Sequence, residues 1–472
     1  MYSTDDPAAG RGPVIAVIGG GASGTLATIY LLREAAGRRV PLRVALIDRH
    51  SRHGLGQAYS TTHPAHLLNS PAGAMSALAG DPGHLTRWAE AAGLPHDGFL
   101  PRSAYGRYLT ELLTAAERSA QPAARVSRIT SEVVAIRRGS RGRALRLHLA
   151  ADGRIDADAA VLATGNLPPV PPCPVPHGHR YIADPWEPGA LEAAADGSPV
   201  AVLGTGLTML DVAIALTDAD PRTAVHAISR HAVLPRVHNW PRAAAGVSAM
   251  PVIRTSAGPL RLTRLIHDLR ASAAAYTGDW QDIVDALQPQ IPRLWEQLPE
   301  ADKRLFLSHV ARYWEVHRHR VPPATARRAA ALASARRLSV LRGHVVAASD
   351  ERGGVRVRID HGGTSTELTA GWLINCTGPA TDITTTADPL LRHLLDQGLA
   401  RPDPLRLGLD TDTHGALRDA NGRAAGDMVT LGPPLRGRWY ETTAIPEIRD
   451  QAATLARHLL TKQAHASPGS AA

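Results

Sequence analysis

The sequence predicts an α/β chain in which a unit of strand, glycine-rich turn and helix occurs twice, with a helical region inserted in the second unit. Three observations carry that prediction. Residues 14–24 read VIAVIGGGASG ahead of a helix with apolar periodicity. Residues 199–216, PVAVLGTGLTMLDVAIAL, repeat the order. Each unit then closes on a strand ending in x-Thr-Gly, at Ala163-Thr164-Gly165 and at Cys376-Thr377-Gly378.

At 472 residues the chain exceeds what a single core normally serves, which fits two interleaved domains. Its 44% hydrophobic and 20% charged residues are globular proportions, and no apolar run reaches the length of a membrane span. Acids stand in MYSTDDPAAGRG where a secretory signal carries bases, so a cytoplasmic protein is expected. Cys173 and Cys376 form neither a CxxC pair nor a metal-ligand spacing, and no metal is expected. The net charge of +9 comes from 52 basic against 43 acidic side chains without a sustained basic block. That distribution argues against nucleic acid and leaves phosphate-bearing small molecules as partners.

In the first unit Gly19 permits the turn, Gly21 admits a pyrophosphate to the backbone and Gly24 lets the helix pack on the strand. The next strand ends at Asp48, where a carboxylate accepts hydrogen bonds from a ribose. Thr164 and Gly165 supply the short side chains needed where backbone and nucleotide nearly touch.

The second unit keeps Gly204 and Gly206, with Thr208 at the start of its helix and Met209 in place of the third glycine. Its second strand ends at Ser229-Arg230 rather than at an acid, and an arginine there pairs with a 2′-phosphate, so NADPH is expected over NADH. Thr377 and Gly378 match Thr164 and Gly165. The expected organisation is 1–197 for the first part of one domain, 198–378 for the second domain with its helical insertion at 258–335, and 379–472 for the return to the first.

Further stretches, HLLNSPAGAMSA (66–77), PRSAYGRYL (101–109), GTGLTMLD (204–211), WEVHRHRVPP (314–323) and LGPPLRGRWYETTAIPEIRDQA (431–452), give a resemblance. The chain resembles flavoproteins with two Rossmann-like dinucleotide-binding domains, allied to flavin-containing monooxygenases and to ornithine and lysine N-hydroxylases. The resemblance implies FAD at the first turn and NADPH at the second. It implies that Asn69, Met75 and Ser76 line the flavin, and that Arg102 and Arg107 lie near the FAD phosphates or ring. It further implies that Gly432 and Thr443 contact FAD, and that the helix from Ile445 aims its N-terminus at the flavin N1 and C2 carbonyl. One departure is visible: relatives end the last strand in Gly-Asp, whereas this chain has Gly432-Pro433. Gly426-Asp427 reads as a turn ahead of that strand, and no ribityl contact is carried to Asp427.

Within the insertion, Trp280, Trp295, Phe306 and Trp314 fall at spacings suited to core packing. Arg318 and Arg320 suit a substrate carboxylate or cofactor phosphates, with structural ion pairs as the equal alternative. His317 and His319 do not share a helical face, which disfavours a metal there.

By resemblance the activity is that of an NADPH-dependent flavin monooxygenase activating oxygen at the flavin C4a position. The acceptor is then a nitrogen of a small amine or amino acid, with an aspartate-like substrate of the nitrosuccinate synthase type as the narrowest version. A flavin reductase or dehydrogenase that does not use oxygen, and a non-catalytic FAD/NADPH-binding regulator, stay open.

Overall fold

The computed structural model describes residues 12–139, 144–241 and 259–466. The first domain opens with β1 (Val14–Ile18), α1 (Ala22–Arg38), β2 (Leu42–Asp48), α2 (His84–Ala91), α3 (Arg102–Ala120) and β3 (Ala124–Thr130). A meander of β4 (Val133–Arg138), β5 (Leu145–Leu149) and β6 (Arg154–Ala157) leads into β7 (Ala159–Leu162). The second domain takes β8 (Tyr181–Ile182), β9 (Val200–Leu203), α4 (Leu207–Ala219) and β10 (Val225–Ser229). A helical cap follows: α5 (Leu262–Ala275), α6 (Trp280–Leu287), α7 (Ile291–Gln297), α8 (Glu300–Leu305) and α9 (Ala311–Arg318). The second domain resumes with α10 (Pro323–Ser334), β11 (Leu338–Arg342), the meander β12 (His344–Glu351), β13 (Gly354–Asp360) and β14 (Ser365–Ala370), and β15 (Trp372–Asn375). The chain returns to the first domain with α11 (Pro389–Asp396), β16 (Ala416–Arg418), β17 (Ala424–Thr430) and α12 (Ile445–Ala466).

Two parallel sheets organise these elements. One runs β3-β2-β1-β7-β17-β16, parallel except at the β16–β17 edge, and the other runs β11-β10-β9-β15-β8, parallel throughout. Strands covered on both faces read as unbroken apolar runs, and every residue of β1 (VIAVI) and β9 (VAVL) is buried accordingly. Each central strand is followed by its glycine turn and helix, and each unit carries its own antiparallel meander before the returning strand. The duplication expected from sequence is therefore a duplication of topology.

Three details differ from the sequence reading. Tyr181–Ile182 pairs with β15, so the second sheet draws on chain ahead of residue 198. Helix α10, assigned to the insertion by its periodicity, packs on α4 and β11 and is the crossover between the parallel strands β10 and β11. A crossover helix and an inserted helix have the same 3.6-residue signature, so periodicity cannot separate them. Gly426-Asp427 lies inside β17 rather than in a turn before it, and Asp427 pairs with Arg138.

The first domain is sandwiched. Leu26 and Leu31 of α1, Tyr105 and Tyr108 of α3 and Leu455 and Leu459 of α12 fill one face of its sheet. Ile136 and Leu147 of the meander, with Leu391 and Leu394 of α11, fill the other. The cap has a small cluster of its own around Leu287 and Leu294, and Leu262, Trp295 and Leu298 pack against Leu407 and Tyr440 of the first domain. Trp295 and Phe306 both contact the Tyr440 ring, at centroid distances of 4.8 and 5.1 Å, as the core-packing expectation requires. Trp280 is instead partly exposed, and Trp314 donates its indole N–H to Glu441. The two connections between domains run side by side, Leu167 bridging to Ala380. No helix among the described residues is long and apolar enough to cross a membrane.

Candidate active site

The first turn is a close crossing of two backbones. Gly19 has φ +105°, and a Cβ there would stand 2.3 Å from the Ala163 carbonyl oxygen, so a side chain would push β7 away. Gly24 is as tight, its notional Cβ lying 1.8 Å from the Gly19 carbonyl oxygen. Gly21 precedes α1, whose first turn carries no acid, so its free N–H groups present an anion-binding end. Asp48 holds the turn: its carboxylate accepts the amides of Gly20 at 2.8 Å, His50 at 2.9 Å and Arg52 at 3.3 Å. Burial pushes its pKa up, but those three donors outweigh it and hold the carboxyl below its ordinary value.

Thr164 and Gly165 open a cleft whose wall includes Pro433, Arg436 and Thr443, so two distant sequence-predicted segments meet. The Thr164 hydroxyl is buried without a hydrogen-bond partner, a polar vacancy of the kind a ligand satisfies. Gly432 donates its amide to Gln451 Oε1 at 2.8 Å and accepts from Thr442, which ties the turn after β17 to α12. Ile445, the first residue of that 22-residue helix, is buried, so it offers the site a helix end rather than a side chain.

The segment around Asn69–Ser76 is bound into the protein. The Asn69 carbonyl accepts from His238 at 2.9 Å, and that of Met75 from the Tyr105 hydroxyl at 2.9 Å. Ser76 Oγ donates to the Asp81 carbonyl at 2.6 Å. Both Met75 and Ser76 are buried.

Arg102 and Arg107, expected near the FAD phosphates or ring, both have protein partners. Arg102 is held by Asp211 Oδ2 of α4 at 2.5 Å, by the Leu67 carbonyl at 3.1 Å and by the face of Trp186. Arg107 lies on the outer side of α3 over Trp88, 3.8 Å from Glu111. Sequence offered no sign of Asp211, because its partner is 109 residues away.

The second turn repeats the first. Gly204 has φ +109°, and its notional Cβ stands 2.5 Å from the Cys376 carbonyl oxygen. Gly206 caps α4, whose first turn, including Thr208, again carries no acid. Asn375 Oδ1 accepts from both the amide and the hydroxyl of Thr377, fixing the approach to Gly378. Arg230 is exposed at the end of β10 and has no hydrogen-bond or ion-pair partner among the described residues. Register pairs Ser229 with Arg342, which sets a second arginine at the end of the neighbouring strand. Burial, with the guanidiniums of Arg312, Arg230 and Arg342, depresses the pKa of His231. The region is thus cationic, and Arg312 and Arg342 were not foreseen.

The cap arginines are both buried beside carboxylates but differ in how closely they are held. Arg320 is bound to Gln281 Oε1 at 2.7 Å and paired with Asp285, so it braces α6. Arg318 is buried 3.6 Å from both Glu441 and Glu447, and its Nε has no hydrogen-bond partner. Glu447 lies in the first turn of α12, where Gln288 donates to its Oε1 at 2.6 Å while Oε2 is buried and unpartnered. Beside them Glu315 accepts from Arg436 at 2.6 Å and from the Tyr440 hydroxyl at 2.8 Å. Burial raises its pKa, but His319, Arg436 and Tyr440 together pull it down to about 2. These three glutamates were not singled out, although Glu315 lies in WEVHRHRVPP and Glu441 and Glu447 in LGPPLRGRWYETTAIPEIRDQA.

The fold is the two-domain FAD/NADPH Rossmann-type arrangement, with an equivalent glycine turn in each domain. Residues 16–167, from β1 to just beyond β7, match a family model described as FAD-NAD(P)-binding. No curated protein matches the sequence. Among solved structures, the reduced ornithine hydroxylase of Pseudomonas aeruginosa superposes with TM-score 0.63 at 15% identity, covering 95% of this chain and 100% of that one. The ornithine N-hydroxylase of Kutzneria sp. 744, with reduced FAD, NADP⁺ and L-ornithine, gives 0.59 at 18% identity over 96% and 100%. The L-lysine 6-monooxygenase of Pseudomonas syringae gives 0.60 at 15% identity over 97% and 100%.

Proposed function

We propose that the chain is an NADPH-dependent, FAD-containing monooxygenase that oxygenates the nitrogen of a small amine or amino acid. The observation that carries this reading is the pair of equivalent turns, Gly19 on Ala163 and Gly204 on Cys376, joined by adjacent crossovers. The full-length superposition on amine N-hydroxylases supports it.

FAD, when bound, supplies the two-electron and oxygen chemistry. The first turn, Asp48 and the Thr164 hydroxyl fit its dinucleotide part, and the N-terminus of α12, with Arg318 3.6 Å from Glu447 of its first turn, favours negative charge on the reduced ring. Arg230 binds the NADPH 2′-phosphate by charge-assisted hydrogen bonds. Arg318 offers unfilled donors to a substrate carboxylate, and Glu447 Oε2 offers an unfilled acceptor to an ammonium group. The apolar contact of Trp295 and Phe306 with Tyr440 closes the cap onto the first domain beside Leu407, which lines the cleft, and so helps to exclude water. A disulfide-reductase reading has no redox pair to use: both cysteines are free, and burial pushes the Cys376 thiol far above its ordinary pKa.

The test is oxygen uptake with NADPH consumption and hydroxylamine detection, across a panel of amines and amino acids. Amine-dependent uptake with an N-oxygenated product is expected. NADPH consumption that yields only peroxide with every amine would replace this reading with a reductase, and failure of NADPH to reduce the flavin would leave a nucleotide-binding regulator.

A further inference from the structure

We infer that Arg102, Asp211 and His66 form a clamp between the two domains, and that Arg102 is a positioning residue for electron transfer from NADPH to FAD. This rests on the reading above that both dinucleotides bind.

Arg102 is the first residue of α3 in the first domain, and Asp211 is the fifth residue of α4 in the second. Their side chains meet at 2.5 Å and are only 16% and 6% exposed. The pair is enclosed on both sides. His66 donates Nε2–H to the Asp211 carbonyl at 3.1 Å, and its Nδ1 accepts from the Thr61 hydroxyl at 2.7 Å. Trp186 packs against Arg102 at 5.2 Å and edge-on to His66 at 5.6 Å. The Trp186 amide donates to Asp184, which also accepts from Gln57 at 2.6 Å. At the rim His63 reaches Asp218 of α4 at 3.4 Å.

The functional consequence follows from helix rigidity. Asp211 lies five residues from Gly206, about 8 Å along the axis, so fixing Asp211 fixes the anion-binding end of α4. Interfaces between domains of one chain ordinarily permit relative motion. Here sliding would strand a buried charge on each side, which strongly disfavours displacement. Hydride transfer tolerates little displacement, since an error of about 1 Å can slow a reaction roughly a hundredfold. The residues in 57–67 and at Arg102 therefore hold one domain's dinucleotide turn in register with the other's.

The experiment uses the FAD-loaded full chain with Arg102→Met, Arg102→Lys and Asp211→Asn. Anaerobic stopped-flow gives the flavin reduction rate at saturating NADPH, spectral titration gives the NADP⁺ dissociation constant, and amide hydrogen exchange is followed without added NADPH. Arg102→Met is expected to slow reduction by about tenfold or more while the NADP⁺ constant changes by less than about threefold, with partial recovery in Arg102→Lys. Amides of 57–67 and of the start of α4 are expected to exchange faster in Arg102→Met and Asp211→Asn. Wild-type reduction rates and unchanged exchange in both variants would overturn the clamp. Loss of FAD from the near-isosteric Asp211→Asn would also overturn it, by making the pair a support of the FAD site. If the wild type is not reduced by NADPH, the functional reading fails, and hydrogen exchange alone decides the clamp.

Discussion

Gly204 and Cys376 stand so close that no side chain fits between them: a Cβ on Gly204 would lie 2.5 Å from the Cys376 carbonyl oxygen. Gly19 and Ala163 repeat the relationship at 2.3 Å. Gly204→Ala must therefore displace the turn and adopt φ +109°, a strain of about 1–3 kcal/mol. Its NADP⁺ affinity should fall roughly tenfold or more with FAD content retained, and Gly19→Ala should lose FAD. Calorimetric titration with NADP⁺ checks this; unchanged affinity in Gly204→Ala would remove the second turn from the cofactor site.

Arg230 sets the choice of nicotinamide dinucleotide if its free guanidinium meets the 2′-phosphate. Arg230→Ala should raise the NADPH KM roughly tenfold to a hundredfold and leave NADH use nearly unchanged. Arg342→Ala, at the end of the adjacent strand, should act in the same direction more weakly. Equal effects of Arg230→Ala on the two cofactors would show that the contact is not to the 2′-phosphate.

The parts of the site legible in sequence are those whose determinants are local. Gly19 and Gly204 announce themselves because strand, turn and helix are contiguous, and Arg230 because it follows β10 directly. The Arg102–Asp211 ion pair was not legible, because nothing near Arg102 in sequence hints at Asp211. Arg318 and Arg320 carry the same local signal two residues apart, yet Arg320 is hydrogen-bonded by Gln281 and Asp285 while Arg318 stands 3.6 Å from both Glu441 and Glu447. That difference arises from tertiary packing of the cap on α12, which periodicity does not encode. Helix α10 was assigned to the cap for the same reason.

The contrast between those two arginines is testable. Arg318→Lys keeps the positive charge between Glu441 and Glu447 but loses the fork that binds a carboxylate in two places. It should raise the KM for a carboxylate-bearing substrate roughly tenfold, with little change for an amine lacking that group. Arg320→Met removes a brace between the segment after α9 and α6 and should lower Tm with a small effect on substrate KM. Steady-state kinetics with matched amino-acid and amine substrates, beside thermal melts, reads both. Loss of activity toward both substrates alike in Arg318→Lys would make Arg318 structural.

His66 gives the clamp a pH dependence. Its ring is neutral, with Nε2–H donated to Asp211 and Nδ1 accepting from Thr61. Burial, then the charges of Arg102 and His63, push its pKa from the ordinary 6.5 to about 4. Between those values the unfolded chain binds a proton at this site and the folded chain does not, so stability present above pH 6.5 is lost as pH falls toward about 4. Asp211 acts in the opposite sense, because burial raises its pKa to about 6 and the folded state takes up its proton first. The comparison that isolates His66 is therefore the difference in Tm between wild type and His66→Gln, which retains a donor but does not titrate. Wild type should lose more Tm than the variant on acidification through that window. Parallel Tm curves would mean that the ring is already protonated or that the clamp opens before it titrates.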